Sequence, residues 1–154
     1  MSGTVGDNVA RASGVIAAAG GGKVLQVVAN TDTPSVETSS TSYVHITDIP
    51  TLNFTPSATS SKVLLIASFG GGEIGADNGY VTLCRDTTNL GAAEGFSTIQ
   101  HSSSHRFPLG GAVFLDSPNT TSQVTYDIRI KSEGNTFRFG SGCSVSLVAI
   151  EIGA

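Results

Sequence analysis

Two histidines, His101 and His105, stand four residues apart in the serine-rich stretch Gln100-His101-Ser102-Ser103-Ser104-His105. That spacing makes a zinc pair only when both rings leave one face of a helix. The stretch has no helical pattern and no HExxH motif, so loop histidines exposed to solvent are the expectation. The alternative is a metal site across a subunit interface, where threefold symmetry would gather three copies of one histidine. His45 lies on the polar side of a strand pattern and needs no chemical role. A Ser-His-Asp set can be drawn from any chain this rich in serine, but no GxSxG elbow supports one. Paired carboxylates for acid–base work need two acids in a cleft. Glu73, Asp77, Asp86, Glu94, Asp116, Asp127 and Glu133 fall in turns, loops or polar strand faces, where solvation accounts for them.

The remaining candidates are equally bland. Gly70-Gly71-Gly72 and Gly110-Gly111 lack the GK[ST] ending of a phosphate loop and open no helix. Sharp turning or close backbone approach explains them. Asp77-Asn78 and the turn from Asp116 to Asn119 could hold calcium weakly, yet carry no EF-hand spacing. Cys84 and Cys143 form no CxxC pair. They read as two small buried side chains, with a bridge open if their strands are neighbours. The expectation is a protein without catalytic residues, metal or cofactor.

The elements that would position these residues are strands. Val24 to Val28 is a β-rich run, followed by a polar loop from Thr31 to Ser42. Tyr43 to Thr47 and Leu52 to Phe54 alternate apolar with polar. Lys62 to Phe69 is the strongest apolar run and predicts a central strand covered on both faces. Gly70-Gly71-Gly72 would then break the chain, with a loop continuing to Asn78. Tyr80 to Arg85 and Ala112 to Leu115 read as further strands, separated by an irregular stretch from Gly91 to Gly110. Gln123 to Lys131 has the cleanest period of two, and Glu133-Gly134-Asn135 predicts a hairpin turn after it. Phe137 and Phe139 alternate, and Ser144 to Ile152 closes the chain as a strand. Eight to ten strands without a long amphipathic helix predict an all-β fold: an antiparallel β-sandwich or jelly roll.

The first 22 residues differ. Asp7 or Asn8 could cap a short helix from Val9 to Ser13, but Gly14 weakens it and Gly20-Gly21-Gly22 ends it. A lone helix this short is marginal without packing. Residues 1–22 therefore read as an anchoring arm, partly helical or extended, and residues 23–154 as the sandwich domain.

Composition narrows the partners. Only 13% of residues are charged, about half the globular average, and the net charge is −4. Ser and Thr make up about a quarter of the chain. Mean hydropathy is positive at +0.14, so the chain can collapse rather than stay disordered. Eight Lys and Arg are scattered with no basic stripe, which argues against nucleic acid. No apolar run approaches the ~20 residues of a membrane span, and Val15 to Ala19 is too short for a secretory core.

The order of features resembles small structural proteins of tailed bacteriophages. The stretch from Asp7 to Ile16 resembles their N-terminal lead, and Gly22-Lys23-Val24-Leu25-Gln26-Val27-Val28 their first strand. Thr59-Ser60-Ser61-Lys62-Val63-Leu64-Leu65 is similar to the start of an apolar strand in these proteins. Phe114-Leu115-Asp116-Ser117-Pro118 with Thr125-Tyr126 resembles a hairpin of theirs, and Val148-Ala149-Ile150-Glu151 their closing strand. The resemblance spans most of the chain but not Gly91 to Gly110.

It implies a virion β-sandwich, usually trimeric, found on capsid surfaces and at fibre or tailspike tips. The leading expectation is a capsid decoration (cement) protein on the virion surface. It would form a homotrimer and bridge major capsid protein subunits. Asp7, Asn8, Val9, Arg11, Val15 and Ile16 would anchor the arm. The alternative is a tail-fibre tip module that binds host-surface glycan, with Asp77, Asn78, His101 and His105 in its host-facing loops. A small hydrolase on a jelly roll ranks last.

Overall fold

The computed structural model describes residues 22–75, 77–101 and 105–153. Residues 1–21 lie outside them, and with them the six expected anchoring residues. Among the described residues no helix forms, and eleven strands follow one another. They are β1 (Val24–Asp32), β2 (Val36–Thr38), β3 (Thr51–Phe54), β4 (Lys62–Ile74), β5 (Asp77–Arg85), β6 (Thr88–Asn89), β7 (Ser97–His101), β8 (His105–Asp116), β9 (Val124–Ser132), β10 (Phe137–Gly140) and β11 (Val145–Ile152).

All pairings are antiparallel and fall into two sheets. The first has six strands in the order β1-β11-β4-β10-β2, with β8 on the other side of β4. The second has five, in the order β3-β9-β5-β6, with β7 also on β5. The all-β antiparallel sandwich expected from the short alternating runs is the observed fold.

The core lies between the sheets and follows the period of two. On β4, Val63, Leu65, Ala67 and Phe69 point inward and are buried. On β11 the inward set is Val145, Leu147, Ala149 and Glu151. β9 contributes Val124, Tyr126, Ile128 and Ile130 from the opposite sheet. Aromatic rings fill the wider gaps: Phe54 meets Tyr126 edge-on at 6.0 Å, and Phe137 meets Phe139 at 6.4 Å.

Several sequence expectations are corrected. The glycines do not break β4, which runs through them to Ile74. Gly70 pairs with Gly110 of β8, and their φ angles are 63° and 73°. Two facing left-handed glycines form a double bulge, which only residues lacking Cβ adopt without strain. There β4 exchanges β11 for β10 as its neighbour.

The expected strand from Tyr43 to Thr47 is reduced to a single bridge, Val44 to Ile130. β2, β6 and β7 arise where loops were expected. Glu133-Gly134-Asn135 does not close a hairpin; it carries the chain from β9 in the five-stranded sheet to β10 in the other. The cysteines are free: Cys84 is buried, but Cys143 is exposed rather than packed in the core.

Candidate functional site

The expected host-facing residues do gather at one end of the sandwich, though as strand ends rather than free loops. Asp77 and Asn78 open β5, and His101 closes β7 as the register partner of Asp77. His105 begins β8 opposite Ile74 of β4. The crossing from β9 to β10 brings further polar groups to Asp77 and Asn78. Asn78 Nδ2 donates to Glu133 Oε2 at 2.8 Å, and the Asn135 backbone N–H donates to Asp77 Oδ2 at 3.2 Å. The Tyr80 hydroxyl donates to Glu133 Oε1, and that bond, with burial, pushes the phenol up to about 12. Hydrogen bonds from the Asn78 and Asn135 backbone hold Asp77 below the ordinary carboxylate range. These partners lock the group into a network rather than leaving an acid poised for proton transfer.

The acids expected to be solvated include two that are not. Asp116 and Asp127 are 5% and 4% exposed. Asp116 faces inward from β8 and accepts from Arg85 Nη1 at 2.7 Å and from the Tyr126 hydroxyl at 2.7 Å. Arg85 and Tyr126 are register partners in the other sheet, so the trio ties the two sheets together. Asp127 lies on the outer side of β9. Its carboxylate accepts from Arg129 Nη2 at 2.9 Å, and His45 Nδ1 stands 3.9 Å away. Burial raises the Asp127 carboxyl against the pull of Arg129 and His45. Both of these acids are held in ion pairs, Asp116 with Arg85 and Asp127 with Arg129. Among the described residues no three His, Cys, Asp or Glu side chains group as metal ligands.

The two outer faces of the sandwich differ sharply. On the five-stranded sheet the outer face is polar and partly roofed. Cys84, Asp127, Arg129 and Thr82 lie there, and Lys131 Nζ sits 4.8 Å and 4.7 Å from the rings of Tyr43 and Tyr80. Between Leu90 and Phe96, which bond to the Leu83 and Val81 carbonyls along β5, the chain reaches over this face: the Ala93 carbonyl accepts from Lys131 Nζ at 3.0 Å, and Gly91 lies against Thr82. Thr82 and Cys84 are buried although they point away from the core.

The outer face of the six-stranded sheet is apolar and bare. Register places Val27, Ile150, Leu64 and Leu115 side by side across β1, β11, β4 and β8. The next row is Ala29, Val148, Ile66 and Val113. Val24 and Ile152 extend the patch at one end, and Lys62 marks its corner. Val24, Val27, Val113 and Leu115 are 64%, 56%, 68% and 53% exposed. At the other end the patch gives way to an uncharged row of Thr31, Ser146, Ser68 and Gly111.

This surface corrects the expectation for β4. The run is central in its sheet, but no second layer among the described residues covers its outward residues Leu64 and Ile66. The face was missed because apolar runs on β1, β4, β8 and β11 were read strand by strand. Only their register joins the outward halves into one surface.

A cleft of about 290 Å³ opens beside the double bulge, lined by the Gly70–Gly72 backbone, Phe107, Pro108 and Cys143. Arg106 at its rim pairs with Glu73 at 3.1 Å, and Glu73 also meets Arg138 at 3.3 Å. Compared with known proteins, the chain matches no family model and no curated protein.

Proposed function

We propose that this chain is a structural protein of a bacteriophage virion, a capsid decoration protein that bridges major capsid protein subunits as a homotrimer. The observation that carries an assembly role is the bare apolar face of the six-stranded sheet. Monomeric proteins rarely expose a contiguous apolar surface of this kind, and such surfaces mark interaction sites. The buried acids tied into ion pairs accord with a scaffold better than with a catalyst. The resemblance of the sequence motifs to phage structural proteins supplies the setting, in which residues 1–22 would be the arm on the shell. Particle composition is the test. A copy number close to that of the major capsid protein, or a fixed fraction of it set by icosahedral symmetry, is the expected result. A handful of copies per particle, or none, refutes the reading.

A second reading, a tail-fibre tip that binds host-surface glycan, draws on the polar end of the sandwich. Asp77, Asn78, Glu133 and Asn135 present amide donors and carboxylate acceptors there, chemistry suited to sugar hydroxyls. Binding of the purified protein to host envelope polysaccharide, lost on Asn78→Ala, would favour it over the capsid assignment. No binding to host cells would remove it.

A further inference from the structure

We infer that the outer face of the six-stranded sheet is the surface through which copies of this chain associate with one another. The inference names the partner for the face on which the assembly reading rests. Three observations favour a second copy as the occupant.

The first is chemical. The two central rows hold eight apolar side chains and no charge, while the chain as a whole carries a net charge of −4. Copies that repel elsewhere can meet here without placing like charges together. Lys62, at the corner, keeps its ammonium on its own chain by donating to Ser117 Oγ at 2.8 Å. Obligate contacts between copies have this character, that of a domain core cut in half.

The second is size. Four strands ~4.8 Å apart and rows ~7 Å apart give the apolar rows, with Val24 and Ile152, a footprint of about 340 Å². Completing that end row and adding the Ser and Thr row brings it to about 540 Å², about two-thirds of the ~800 Å² per partner of a stable interface. The Ser and Thr row supplies the polar rim that such interfaces place around an apolar centre.

The third is shape. The face is a regular array of pleated rows, and another such sheet is the surface that packs on it most closely, at ~10 Å. The chain roofs the outer face of its other sheet with the segment from Leu90 to Phe96, and no described segment does so here.

The test is the solution mass of the full chain by light scattering and sedimentation equilibrium. Wild type should give the mass of two or more chains. Val113→Glu on β8 and Val27→Glu on β1, at opposite sides of the patch, each place a charge within the apolar rows. Both positions are more than half exposed, so the core is untouched. Each should weaken association at least ~100-fold, because an unpaired charge buried in an interface costs several kcal/mol. The mass should fall to one chain's 15.6 kDa with an unchanged circular dichroism spectrum. Thr98→Glu, exposed on β7 of the other sheet, should leave the mass as it was.

A wild-type mass of one chain at all concentrations overturns the inference. So does an assembly that both glutamate variants leave intact, or one that Thr98→Glu disrupts equally. The measurement needs no virus particle. Self-association can therefore stand if the capsid assignment falls, and can fail while particle copy number still supports that assignment.

Discussion

Removing the Asp116 carboxylate should be among the costlier single changes, and its cost should depend on Tyr126. Asp116 belongs to the six-stranded sheet, while Arg85 and Tyr126 belong to the other. The carboxylate accepts from Arg85 Nη1 and from the Tyr126 hydroxyl, all at 2.7 Å, with its side chain 7% exposed. In Asp116→Ala the guanidinium and the phenol both lose their acceptor. Breaking a buried pair by removing one partner costs ~3–5 kcal/mol. Arg85 keeps 23% of its side chain in water, so the lower end, about 3 kcal/mol, applies. For a domain of this length that corresponds to a fall of about 6–12 °C in melting temperature.

Tyr126→Phe removes one hydrogen bond to a charged acceptor and leaves Arg85 in place, so about 1.5 kcal/mol is expected. The double variant strands no phenol. It should cost no more than Asp116→Ala alone, a coupling of at least about 1.5 kcal/mol. Urea melts followed by circular dichroism measure all four corners of the cycle. Additivity within about 0.5 kcal/mol would show that the trio does not act as a unit and would refute the reasoning.

Three further outcomes follow from buried titratable groups. Burial pushes the Glu151 carboxyl up, but the Ser61 hydroxyl, Gln26 and Ser57 around it outweigh that and hold it below its ordinary value. Its ionised form then stabilises the fold above the unfolded carboxyl value of about 4.3, and that stability is lost as pH falls through the lower folded value. Glu151→Gln should melt lower than wild type at pH 7 and lose less on acidification, and parallel acid limbs would contradict this. The three tyrosines, Tyr43, Tyr80 and Tyr126, are all pushed above the ordinary phenol range, each partly by burial. Raised folded values stabilise below about pH 10 and are lost above it, so phenolate absorbance should rise only together with unfolding; a native-state step near pH 10 counts against the burial. Burial pushes the Cys84 thiol up to about 11, whereas Cys143 is exposed. One thiol per chain should react promptly with an aromatic disulfide reagent and the second only in denaturant, while two prompt equivalents would show that Cys84 is not enclosed.

What was legible in the sequence was what period and turn chemistry encode locally. Val124 to Ser132 alternates cleanly, and its strand lies where the pattern places it. The glycine clusters were read as breaks because Gly disfavours a strand interior. Gly70 and Gly110 are tolerated inside strands because they face each other across the ladder, a fact about register that no single segment contains. Asp116 looked like a turn residue beside Ser117-Pro118-Asn119. Its burial depends on Arg85 and Tyr126, 31 and 10 residues away. Asp77, Asn78, His101 and His105 were grouped by polarity, and the strand ends do bring them to one end of the fold.

The apolar face turns on the same distinction between composition and register. A strand apolar on both sides suits cover on both sides, and the apolar run from Lys62 to Phe69 predicts that cover. Within the described chain only the inner side is met, by the facing sheet. Burying a Val or Leu side chain is worth roughly 1.5–3 kcal/mol, so leaving a row of them in water forgoes stability that a lone domain would need. Polar substitutions at Val113 or Leu115 would disturb no core contact, because more than half of each side chain is exposed. On the proposed self-association, contact with another copy would cover this apolar surface, on a sandwich whose other face is partly roofed and polar. The uncharged centre and the Ser/Thr border then favour a partner bearing the same surface.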